Sequence, residues 1–197
     1  MIKFTEIAGI IAGVLSILDF FLYSISIVRH KTTPNRATWL IFSLVGLLIF
    51  SSYYSLGARE TIWVALGYAI GPFVIFLLSI KFGTGGWSSF DKLCLLGAST
   101  SLVLWWLFNS ALIALLINIL IDFFGILPTI KKSYLDPTSE EGLPWFITFI
   151  SCVLNIFAIQ VWKFEIWIYP VYMLITNGAI VFILYFFKYK NISAKSP

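Results

Sequence analysis

Charge is scarce in this sequence. Of 197 residues only 11% are Asp, Glu, Lys or Arg, against about 25% in soluble globular domains, and so few ionised groups cannot cover a water-exposed surface of this size. That shortage excludes a cytosolic enzyme, a nucleic-acid binder and a disordered chain. Histidine occurs once, as His30, and cysteine twice, as Cys94 and Cys152, both inside apolar runs. Neither a disulfide framework nor a metal quartet can be built from them, and one histidine at a helix end cannot serve an intramembrane Ser-His-Asp triad. There is no Gly-rich phosphate loop and no His-Glu-x-x-His pair. No enzyme activity, no metal and no cofactor is therefore expected. The last apolar segment holds no lysine, which rules out a retinal Schiff base.

What the sequence has in excess is apolar surface: 60% hydrophobic residues, 18% aromatic ones and a mean hydropathy of +0.96. A helix needs about 20 apolar residues to cross a hydrocarbon core roughly 30 Å thick. Seven such runs are expected, over 5–28, 37–56, 61–80, 92–108, 110–130, 145–161 and 166–187. The fold class is thus an all-α integral membrane protein with seven transmembrane helices. The first run follows the start of the chain almost at once, carries Glu6 and Asp19, and is too long for the apolar region of a signal peptide, so it is read as uncleaved. Only Asn109 and Ser110 separate the fourth run from the fifth, a tight helix hairpin.

Positive residues in short connectors are retained in the cytoplasm. Ten of the thirteen Lys and Arg fall in the first, third and fifth connectors and the tail, and three on the other side. The N-terminus is expected outside and the C-terminus cytoplasmic, in the plasma or inner membrane. His30, between Arg29 and Lys31, reads as a headgroup contact.

The chain also repeats itself. Asp19-Phe20-Phe21 recurs as Asp122-Phe123-Phe124, and each aspartate is followed fifteen residues later by a loop proline, Pro34 and Pro137. Trp39 and Trp145 then open the next helices, and Trp63 and Trp167 open the ones after, at spacings of 24 and 22 residues. Four crossings separate the first and fifth helices, so the two copies face the same way. The plan is a parallel repeat: a first three-helix unit over 1–91, an inverting linker helix over 92–109, a second unit over 110–190 and a cytosolic tail over 191–197. A three-helix unit ends on the side opposite its start, which is why a single linker helix is needed between like-facing copies.

This arrangement resembles the SWEET and PQ-loop superfamily, in which two three-helix bundles joined by a linker helix surround a central solute path. The likeness spans nearly the whole chain. Its local carriers are Leu127-Pro128-Thr129-Ile130-Lys131-Lys132-Ser133, placed where a PQ-loop protein has its proline-glutamine pair and basic helix end, and Thr176-Asn177-Gly178 in the last helix. The resemblance implies that Asn177 faces the substrate. Gly71-Pro72-Phe73 stands in the third helix in place of a matching asparagine, so the implied site is asymmetric.

Asp19 and Asp122 are the sharpest chemical feature, since an ionisable group near the bilayer centre costs about 2.5–3.5 kcal/mol on insertion scales. They read as a pair of protonatable groups facing a polar path, or as anchors of hydrogen-bond networks that lock each bundle. Asn118 lies one turn before Asp122 on the same helix face and joins Asn177 as a candidate solute contact, with Asn155 as a further intramembrane amide. Trp39 and Trp145 are candidates for stacking on a solute, or interfacial anchors like Trp63 and Trp167. Tyr53, Tyr54, Tyr68, Tyr169 and Tyr172 are candidates to line the path. Of the adjacent Trp105 and Trp106, one is expected to meet lipid. Pro72, Pro128 and Pro170 fall inside spans and are candidate hinges, because each removes a helical hydrogen bond.

The expected function is a transporter that moves a small polar solute, sugar-like or another metabolite, by alternating access between the two bundles, passively or coupled to protons. Its partners are the solute and the lipid bilayer, with no nucleic acid; a monomer suffices and a homo-oligomer is compatible. The alternative is a non-transporting receptor or adaptor on the same fold, whose support is the acidic connector Asp136-Pro137-Thr138-Ser139-Glu140-Glu141.

Overall fold

Seven helices run through the chain, in a computed structural model that describes residues 3–31, 33–135 and 142–193. They are α1 (Phe4–Val28), α2 (Arg36–Ser55), α3 (Ile62–Phe82), α4 (Ser89–Phe108), α5 (Ala111–Leu135), α6 (Gly142–Phe157) and α7 (Phe164–Ser193). Four of them, α1, α2, α3 and the stretch Phe164–Phe186 of α7, are long and apolar enough to cross a membrane. The apolar stretches Lys92–Phe108, Ala111–Leu127 and Gly142–Phe157 are shorter. The outer faces carry large exposed apolar side chains such as Val14, Leu47, Ile80, Leu96, Trp106 and Ile175. Such a surface fits a helical membrane protein and would be a liability in water. Trp106 is 80% exposed, whereas its neighbour Trp105 is half-buried.

The helix ends follow local chemistry. Arg29 caps α1, and His30 takes a positive φ of 55° just beyond it, while the Lys31 amide reaches back to the Ser26 carbonyl at 2.9 Å. Asn35 caps α2 by accepting the Thr38 amide at 3.2 Å. Past the end of α2, Gly57 adopts φ 88°, a conformation cheap only for glycine. Two ends differ from the apolar runs. α7 continues as a helix past residue 187, through Lys188 and Lys190, because good helix formers keep propagating after the apolar stretch stops. α6 stops at Phe157, short of residue 161: the Ala158 amide bonds the carbonyls of both Leu154 and Asn155, a tightened last turn, and Gln160 turns its amide to the hydroxyl of Thr5 at 2.8 Å. Residues 194–197 of the expected tail and 136–141 of the acidic connector lie outside the described residues.

Small residues decide which helices touch. Ala8, Gly9, Ala12, Gly13 and Ser16 form one buried stripe on α1, and small residues let helix backbones approach closely where no hydrophobic effect drives them together. A methyl at Gly9 would strike the Glu60 carbonyl, and one at Gly13 would strike Trp63, so α3 lies directly on this stripe. On the adjoining side the Ala12 carbonyl accepts the Ser151 hydroxyl of α6 at 2.7 Å.

Within the chain, α3 packs on α1 and α2, and α7 packs on α5 and α6. The remaining contacts among these six helices are α1 with α6, α2 with α5 and a small one of α3 with α6. Exchanging α1 with α5, α2 with α6 and α3 with α7 leaves this set unchanged apart from the small α3–α6 contact. α4 stands outside the pattern, resting on α5 and α2. The centre is filled by Val45, Ile49 and Tyr53 of α2, Leu115 of α5, Cys152 of α6 and Tyr169 of α7.

Candidate functional site

A cavity of about 420 Å³ opens among six of the helices, with lining side chains from every helix except α4. Its mouth is formed by Lys31 and Thr33 of the α1–α2 connector and by Pro144 and Trp145 at the start of α6. Its deep end is formed by Ser16, Val64, Tyr68, Asp122 and Met173. Asp19, Trp39, Pro72 and Asn177 lie on its walls.

Seven residues singled out in the sequence, from six different helices, thus meet in one space: Asp19, Trp39, Tyr68, Pro72, Asp122, Trp145 and Asn177. Trp39 and Trp145, each the fourth residue of its helix, are half-buried and turn toward the cavity mouth. Asn177 is buried at 3% exposure and donates its amide to the Met173 carbonyl of its own helix at 2.8 Å. Asn118 does not line this cavity. Its amide donates to Ser101 of α4 and to the Ala114 carbonyl, both at 2.8 Å, which ties α5 to α4. Asn155 is fully buried away from the cavity, and neither of its side-chain polar atoms finds a partner among the described residues. Pro170 is buried inside α7, and the side chain of Pro128 in α5 lies outside the described residues.

The two aspartates are not equivalent. Asp122 is 5% exposed, and its two oxygens take the hydroxyls of Tyr68 from α3 and Tyr172 from α7, the latter at 2.5 Å. Those tyrosines stand five residues after Trp63 and Trp167, so matched positions of the two halves converge on one carboxyl. Asp19 is half-buried and takes the Phe20 amide at 2.5 Å on one oxygen and the hydroxyl of Thr148 of α6 on the other. The position matching Thr148, three residues after the helix-opening tryptophan, is Phe42 in α2, which has no hydroxyl to give. Thr148 was not singled out in the sequence, although its spacing from Trp145 places both on one helix face.

The opposite end of the molecule is shut. Tyr53 of α2 places its hydroxyl 2.6 Å from that of Thr61 and donates to the Ile166 carbonyl at the start of α7 at 2.5 Å. Its ring lies 5.4 Å from that of Tyr169. The Ser151–Ala12 and Gln160–Thr5 hydrogen bonds join α6 and the α6–α7 connector to α1 on the same side. The packing is therefore open at the end of the α1–α2 connector and closed at the end of the α2–α3 connector.

A second, more apolar groove of about 610 Å³ lies between α1 and α3, walled by Ile17, Phe21, Ile70 and Val74. It has the character of a lipid-facing cleft. Among the described residues, no group of three or more His, Cys, Asp or Glu comes together that could hold a metal ion. No protein-family model, no curated protein and no solved structure matches this chain.

Proposed function

We infer that this protein is an integral membrane carrier of a small polar solute, built as two parallel three-helix repeats, α1–α3 and α5–α7, around a path between them. α4 is the linker that turns the second repeat the same way as the first. The observation that carries this reading is the cavity among six helices, open toward one end and shut at the other, on which residues from matched positions of both repeats converge. Alternating access requires a site of this kind near mid-depth, with one gate open while the other is closed. Asp19 is the sixteenth of the 25 residues of α1 and Asp122 the twelfth of the 25 of α5, which sets both well inside the spans. By the distribution of Lys and Arg, the open end faces the cytoplasm. This reading takes all seven helices as spans, in keeping with the SWEET and PQ-loop plan that the sequence resembles.

A counterflow assay in liposomes tests the reading directly. Purified protein is reconstituted with a panel of unlabelled sugars, amino acids, nucleosides and amines inside, and entry of labelled solute is followed. Saturable, protein-dependent exchange of at least one solute is expected. Absence of exchange for every class rejects the carrier and favours a receptor on the same fold.

A further inference from the structure

We propose that the cavity takes a small organic cation, a protonated amine or a quaternary ammonium, with Asp19 as its counter-charge and the rings of Trp39 and Trp145 as its walls. The inference rests on the carrier reading of the same site and names its cargo class.

The charge pattern comes first. Among the described residues, two carboxyl groups line the cavity and one cation does, Lys31. Lys31 lies in the connector beyond the end of α1, whereas Asp19 is about 14 Å of helix rise inside that end. Asp122 has a hydroxyl donor on each oxygen and is closed off. Asp19 is the less buried of the two cavity-lining carboxyls. Its partners are an amide and a hydroxyl, both uncharged. A lone negative charge at this depth is tolerated while water fills the cavity. It becomes costly once a second gate closes over it, unless a cation goes in with it.

The walls supply the complementary chemistry. Trp39 packs against Tyr23 at 5.3 Å and against the edge of Phe42 at 5.9 Å, which fixes its ring, and both neighbours also line the cavity. Trp145 enters from α6 at the same level. Aromatic faces on the way in to a carboxylate attract ammonium groups through the ring quadrupole. A neutral polyol could stack on the same rings but would leave the charge of Asp19 to be answered by a proton in the closed state, where a cationic cargo answers it directly. An anion would meet two carboxyl groups, a repulsive arrangement that rejects it. The volume of about 420 Å³ falls in the range of small-molecule sites.

The test pairs choline with its neutral isostere 3,3-dimethylbutan-1-ol, and glucose as a neutral polyol, on the full-length protein in detergent and in liposomes. Tryptophan emission follows binding, and counterflow follows movement. Saturable choline binding is expected, with the isostere at least tenfold weaker. Asp19→Asn should weaken choline binding at least tenfold and Asp19→Glu should restore part of it. Trp39→Phe should cost a few-fold and Trp39→Leu about tenfold, a series that reads the site even if the aspartate variants do not fold. Equal binding of choline and its isostere, or no binding of either choline or tetramethylammonium, overturns the cation assignment. Glucose exchange without choline exchange overturns it while leaving the carrier intact. Choline binding with no exchange of any solute supports the cation site and rejects the carrier.

Discussion

Tyr53 donates its hydroxyl to the main-chain oxygen of Ile166, the one carbonyl in α7 that Pro170 leaves without its helical donor. A proline inside a helix frees the oxygen four residues before it, and a freed polar group away from water needs a partner. The partner comes from α2, in the other half of the molecule. The proline thus creates an acceptor at the shut end, and Tyr53 uses it to hold the two halves together there.

Tyr53→Phe removes that bond and leaves the carbonyl unpaired. We expect a loss of about 1–3 kcal/mol, which is about 2–12 °C in melting temperature for a chain of this size. Loosening of the shut end should also expose Cys152, a free thiol that is fully buried next to Ser151 in the α1–α6 contact. Faster labelling of Cys152 by a maleimide in Tyr53→Phe, with Cys94→Ser as background, is the readout. Labelling at the wild-type rate would show that this hydrogen bond is not the clasp.

Tyr68 and Tyr172 come from different halves and share one acceptor, Asp122. Removing either hydroxyl leaves the other donor in place, whereas removing both leaves a buried carboxyl with none of its side-chain donors. The double variant Tyr68→Phe/Tyr172→Phe should therefore lose more stability than the two singles added, with a coupling of about 0.5–3 kcal/mol. Thermal melts of the four proteins close the cycle. Additive losses would mean that the two hydroxyls act independently.

The helices, their order and the pairing of landmarks were legible in the sequence because they rest on apolar run length and spacing, which are local properties. Asp19, Trp39, Asp122 and Trp145, which their spacing singles out, line one cavity together with Asn177, which only the family resemblance singles out. The unequal roles of the two aspartates were not legible. They depend on the partners of each carboxyl, a hydroxyl at Thr148 against a ring at Phe42, and on two tyrosines reaching across to one acceptor. Asn118 shows the limit of helix periodicity: one turn from Asp122 gives a shared face, yet a serine on α4 at hydrogen-bond distance draws the amide away from the path.

Gly13 lies against Trp63 where α1 meets α3, with no room for even one added carbon. Gly13→Leu should force the two helices apart and cost about 1–3 kcal/mol, seen as lower yield and a broadened size-exclusion profile. Gly86, which has open space around it, is the control: Gly86→Ala should leave both unchanged. Equal behaviour of the two variants would show that close packing at Gly13 does not hold α1 on α3.

Asp19 can balance one positive charge at a time, a proton or a cationic cargo. The groups that face it are few: Thr148 holds one of its oxygens, Asp122 and Tyr68 lie at the deep end of the same cavity, Lys31 stands at the mouth, and Cys152 is packed nearby on α6. If proton and cargo exclude each other at Asp19, an acid interior should drive a labelled cation into proteoliposomes as protons leave, several-fold faster than at equal pH. A dissipated gradient should abolish the difference. In Asp19→Asn the side chain holds neither charge, so gradient-driven uptake should fall to the level of protein-free vesicles. Asp122→Asn, altered at a carboxyl already closed off by two tyrosines, should keep the gradient response with a lower melting temperature. Uptake by the unmodified protein that ignores the direction of the pH gradient would assign Asp19 to binding alone and make the carrier passive.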